Sequence, residues 1–105
     1  MRLHLLEKCL EDVHNQIDEL SFSELIRQCR DVLGIKQYRA GEFMGINHQR
    51  LNNLETGYFR NVPTQDELNG IGNLFDLEVS MLESKAQKHM KERELKKKIT
   101  TLHDG

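Results

Sequence analysis

The stretch that decides the fold runs from Gly34 to Gly57 and reads GIKQYRAGEFMGINHQRLNNLETG. It holds a short helical segment with Ala40, Phe43 and Met44 as apolar positions, then Gly45-Ile46-Asn47, then a second segment with Leu51 and Leu54. Gly45 permits the left-handed backbone that closes one helix, and Asn47 can accept the free N–H groups that open the next. Ile46 is placed to plug the angle between the two helices, and Gly41 is small where the second must pass closely. Leu51 and Leu54 anchor the second helix inward. That leaves His48, Gln49, Arg50, Asn52 and Asn53 facing out, a hydrogen-bonding set without an acid. Two short helices joined by a turn of three to four residues containing Gly form a helix-turn-helix arrangement.

Upstream, Ser21-Phe22-Ser23-Glu24 reads as a capping box, in which the serine hydroxyl and the glutamate carboxylate satisfy each other's backbone N–H groups. Leu25, Ile26, Cys29, Val32 and Leu33 then give a helix one apolar face, and Gly34 stops it. Before that, Leu3, Leu6, Leu10, Val13, Ile17 and Leu20 recur at alternating spacings of 3 and 4. This predicts an amphipathic helix with a narrow stripe that must bury itself against the rest of the chain or a second copy. Downstream, Pro63 precedes a second capping box at Thr64 and Glu67, followed by Leu68, Ile71, Leu74 and Phe75 at helical spacing. From Val79 to Ile99 there is neither Gly nor Pro, and Leu82, Ala86, Met90, Leu95 and Ile99 mark a long helix that turns basic at Lys96-Lys97-Lys98. Nothing reads as a strand. The expected organisation is all-α: an amphipathic helix over 1–20, a helix-turn-helix domain over 21–82 and a basic helical tail over 83–105.

A chain of 105 residues with one Pro and no Trp accommodates one compact domain with small appendages, which excludes a multidomain enzyme. Leu occurs 15 times against ten for Val and Ile together, again favouring helices. The net charge of −2 hides segregation: residues 1–23 carry −3, 24–60 carry +2, 61–84 carry −5 and 85–105 carry +4. A charged partner therefore meets local patches rather than the average. Cys9 and Cys29 have neither C-x-x-C nor zinc-ligand spacing and read as reduced core thiols. No apolar run approaches the ~20 residues of a membrane span. The first 20 residues carry five acids where a signal peptide would be basic and apolar, so a cytoplasmic location is expected. His4, His14, His89 and His103 are expected at solvated surface positions. Without a nucleophile–base signature, a phosphate-cradling Gly loop or a metal cluster, the sequence offers no catalytic residue, no cofactor and no metal site.

Residues 24–82 resemble the phage-repressor family of helix-turn-helix domains, also called the Cro/xenobiotic-response-element family. The resemblance rests on Gln37 opening the second helix, Gly45 at the turn, Leu54-Glu55 with Gly57 closing the third, Pro63-Thr64 before a fourth, and Leu74-Phe75-Asp76-Leu77 with Leu82 at the end. It departs at Lys36, where Ser or Thr is usual, at Ala40-Gly41, where Leu and Ala are usual, and in a loop, residues 58–62, about two residues longer than is common. The family's fold is a lambda-repressor-like five-helix domain; here it would carry an added N-terminal amphipathic helix and a long C-terminal helix.

The resemblance implies double-stranded DNA as a partner, with the third helix entering the major groove. His48, Gln49, Arg50, Asn52 and Asn53 are then the base-reading candidates, Gln and Asn being suited to adenine N6 and N7. Lys36, Gln37, Arg39, Asn47, Tyr58 and Arg60 are the phosphate-binding candidates, with Asn47 acting first as a helix cap. Glu55 is expected to pair with Arg30 and tie the third helix to the first. The expected function is a sequence-specific transcriptional regulator, a homodimeric repressor on an inverted-repeat operator. An alternative is an antitoxin-type module that caps a partner toxin and autoregulates its operon.

Overall fold

The computed structural model describes residues 16–104, with side chains as far as Lys96. A single 3-10 turn, Ile17–Glu19, precedes five helices: α1 (Phe22–Leu33), α2 (Gln37–Met44), α3 (His48–Thr56), α4 (Gln65–Phe75) and α5 (Val79–Asp104). The fold is all-α, with no strand among the described residues.

Each boundary has a local cause. The Ser21 hydroxyl accepts from the Glu24 amide and the Glu24 carboxylate from the Ser21 amide, both at 3.2 Å. Thr64 and Glu67 repeat this at the start of α4, at 3.1 and 2.9 Å. The Asn47 side chain accepts from the Gln49 amide at 2.8 Å and caps α3. At the other ends, Gly34, Gly45 and Gly57 all take positive φ, and Asp76 does the same after α4 at φ 55°. An aspartate tolerates that conformation at a cost a glycine avoids.

The apolar faces converge on one core of Phe22, Leu25, Ile26, Cys29, Ala40, Met44, Ile46, Leu51, Leu54, Phe59, Leu68, Ile71, Phe75, Leu77, Leu82 and Ala86. α1 lies centrally and packs on α3, α4 and α5, while α2 packs on α3 and α4. Two glycines are required for these approaches. A Cβ on Gly41 would come within 2.6 Å of the Ile46 carbonyl oxygen, so the small residue serves the turn rather than the crossing helix. A Cβ on Gly70 would sit 2.2 Å from the Met44 carbonyl oxygen, where α4 passes the end of α2.

Three expectations change here. Leu3, Leu6, Leu10 and Val13 lie outside the described residues, but the α-helix expected to run to Leu20 does not reach it. Residues 17–19 form one 3-10 turn and Leu20 is extended, because Ser21 must itself be extended to cap α1. Ile17 and Leu20 nevertheless pack against the core. No boundary falls at residues 82–83: α5 is continuous, and both Leu82 and Ala86 are fully buried. His89 is not a solvated surface residue. Its ring stacks on Phe59 at 4.8 Å between centroids and bonds to the Gly57 carbonyl oxygen at 3.1 Å.

Candidate nucleic-acid interface

The outer face of α3 is built from the core outward. Arg30 of α1 holds Glu55 of α3 with two bonds, Nε to Oε2 at 2.8 Å and Nη2 to Oε1 at 3.0 Å, and its Nη1 donates to the Ile35 carbonyl at 2.9 Å. The Glu55 side chain is 2% exposed and Arg30 17%, so the pair is an anchor within the fold. The hydrogen bond to Glu55 raises the Arg30 pKa further, against the opposing effect of burial.

Gln37, at the start of α2, reads that anchor. A carboxylate only accepts, so the Gln37 amide nitrogen must face Glu55, 3.2 Å away. The same nitrogen donates to Asn52 Oδ1 at 3.2 Å. Gln37 Oε1 is thereby turned to His48 Nε2, also 3.2 Å away, and that nitrogen must carry the proton. A continuous set of hydrogen bonds thus runs from Arg30 through Glu55 and Gln37 to Asn52 and His48. Because Asn52 Oδ1 accepts within this set, its amide NH2 is what remains to donate outward.

The outer face comprises His48 and Gln49, both exposed, with Asn52 and Asn53 half-buried. Gln49 Nε2 and Asn53 Oδ1 lie 3.4 Å apart on successive turns, pairing the two amides side by side. Lys36, Arg39, Asn47, Tyr58 and Arg60 are all exposed. Arg39 lies 5.8 Å from the Tyr38 ring centre. The N-cap Lys36 makes no side-chain cap, so the first amides of α2 keep their donors. Exposed Glu42 is the acid on α2; the acid on α3, Glu55, is buried.

Two of the residues singled out in the sequence are committed to other contacts. Arg50 does not stand free for base reading: its Nε and Nη2 bind Glu67 of α4 at 3.0 and 3.1 Å, and Nη2 also donates to the Asn61 carbonyl at 3.0 Å. Burial raises the Glu67 pKa, but hydrogen bonds from Arg50 and from Thr64 outweigh it and hold this carboxyl below its ordinary range. Gln37 has both ends of its amide engaged, so a phosphate at the α2 N-terminus would meet main-chain N–H groups before this side chain. Sequence reasoning missed Arg93, whose Nη1 donates to the Phe59 carbonyl at 2.7 Å; its place in a basic tail gave no signal of this. Among the described residues no group of His, Cys, Asp and Glu is arranged to hold a metal ion, and no helix is long and apolar enough to cross a membrane.

Comparison of the chain with protein-family models, with curated proteins and with solved structures finds no match.

Proposed function

We propose that the chain is a sequence-specific double-stranded DNA-binding regulator of the lambda-repressor-like helix-turn-helix type, acting as a homodimeric repressor. The observation that carries this reading is the α3 outer face. His48, Gln49, Asn52 and Asn53 present donors and acceptors without a carboxylate, on a helix locked to the core by Arg30 and Glu55. Base edges in the major groove can be read by such hydrogen-bonding side chains, and Gln and Asn match adenine in two-pronged fashion. Gln49 and Asn53 lie one helical turn apart and suit neighbouring bases. Exposed Lys36, Arg39 and Arg60 are the cations available for phosphate contact. The net negative charge does not oppose this, since residues 24–60 sum to +2 and the acids concentrate elsewhere. A two-fold dimer would read an inverted repeat with half-sites about 10–10.5 bp apart or a multiple of that.

The test is selection of binding sites by the purified protein from a pool of random duplexes. Enrichment of an inverted repeat supports the reading; a pool that stays random after repeated rounds removes it. A second reading, the antitoxin-type module, is favoured by one feature. α5 continues beyond Met90, the last described side chain packed on the core, and leaves Leu95 60% exposed. Co-purification with the product of an adjoining reading frame, lost on Leu95→Glu, would support it.

A further inference from the structure

The segment after α3 shows an alternation that neither the motif nor the core explains. Three alternate carbonyl oxygens are held by side chains: Gly57 by His89 Nε2 at 3.1 Å, Phe59 by Arg93 Nη1 at 2.7 Å and Asn61 by Arg50 Nη2 at 3.0 Å. Phe59 is 1% exposed, with its ring edge-on to Phe22 at 5.7 Å and stacked on His89 at 4.8 Å. The two residues between them, Tyr58 at 74% and Arg60, are exposed, as is Val62 at 41% after the last. A loop without regular structure is thus held at its backbone by two cations and an imidazole, with exposed Tyr58 beside Glu92 and Arg93 of α5 and exposed Arg60 beside Arg93 and Glu94. Two of the three holding side chains belong to α5, 32 and 34 residues further along the chain.

We propose that His89 and Arg93 of α5 are positioning residues for DNA backbone contact by Tyr58 and Arg60, which makes the long helix part of the binding apparatus. This rests on the DNA-binding reading above. Carbonyl oxygens repel a phosphate, and here those of residues 57, 59 and 61 are bonded to donors. Arg93 adds a positive charge beside Tyr58 and Arg60 while donating to the loop. With the loop fixed in advance, Tyr58 and Arg60 lose little freedom on meeting the duplex, and that lowers the entropic cost of the contact. Neither His89 nor Arg93 touches the DNA; each acts through the loop backbone.

The test uses the full chain and the duplex it selects from a random pool. Arg93→Gln removes the charge, Arg93→Lys restores it, His89→Phe keeps the stack on Phe59 but loses the donor, and Arg60→Ala removes the contact itself. Arg93→Gln and His89→Phe are expected to weaken binding about tenfold and to lower the dependence of log Kd on log salt by about one phosphate contact, with discrimination at base-reading positions unchanged. Arg93→Lys should recover most of the loss, and amide exchange at residues 58–62 should quicken in Arg93→Gln. In a background carrying both Tyr58→Phe and Arg60→Ala, Arg93→Gln should add nothing, because the contacts it positions are already gone. Unchanged binding by the variants, additive losses, or losses matched by a general fall in Tm would overturn the proposal while leaving DNA binding in place. Failure of the unaltered chain to select any duplex would remove both.

Discussion

Gln37 donates to Glu55 across 3.2 Å, so the amide that orients His48 and Asn52 is itself oriented by a carboxylate buried in the core. The proposed reading face is therefore a continuation of the packing between α1 and α3. Its geometry depends on Arg30 as much as on any residue it exposes.

Glu55→Ala is expected to destabilise the fold by roughly 3 kcal/mol, because it strands a partly buried guanidinium, whereas replacing Arg30 and Glu55 together by apolar residues should cost less. Urea denaturation of the two single variants and the double variant measures this. A loss in the double variant equal to the sum of the two single losses would mean that the pair is not coupled.

The Arg50–Glu67 pair gives the link between α3 and α4 a definite pH dependence. Since the folded state holds the Glu67 carboxyl below its ordinary value of 4.5, the pair's contribution is complete above that pH and is lost as pH falls through the lower folded value. Glu67→Gln keeps the helix cap and removes the charge. The stability gap between the unaltered chain and this variant should be greatest near neutral pH and should narrow as pH falls below 4.5 and through the lower folded value.

Gly70→Ala and Gly34→Ala should differ sharply. The first places a Cβ 2.2 Å from the Met44 carbonyl oxygen and forces α2 and α4 apart; the second meets open space and pays only the strain of a φ of 68°. Gly34→Ala should cost about 1–2 kcal/mol, and Gly70→Ala markedly more, read as the difference in Tm.

Cys29 is fully buried, and burial pushes its thiol up to about 11. In a chain carrying Cys9→Ser, the remaining thiol should react with a disulfide reagent at pH 8 only as fast as the fold opens, and at once in denaturant.

The helices were legible because their signals are local. Two capping boxes, the C-terminal glycines and the Gly45-Ile46-Asn47 turn each act within four residues, and the apolar spacing of α1 and α4 points to the core directly. What could not be read depends on residues far apart in the chain. Arg50 looks like a reading residue on α3 until Glu67 arrives beside it, and His89 and Arg93 look like a solvated basic face until the loop folds beneath them. The end of the heptad stripe misled for a different reason: Leu20 keeps its apolar partner in the core, but the cap of α1 forces it out of helical geometry.

Reading by α3 is tested most directly by titrating labelled duplex, bearing the selected site or a scrambled version, with the unaltered chain and with Gln49→Ala/Asn53→Ala, followed by fluorescence anisotropy at several salt concentrations. The unaltered chain should prefer its site by about 10³-fold or more, with affinity falling steeply as salt rises. The double variant should bind both duplexes with the same weak, salt-dependent affinity and an unchanged Tm. Retention of the site preference by the double variant would contradict base reading by α3.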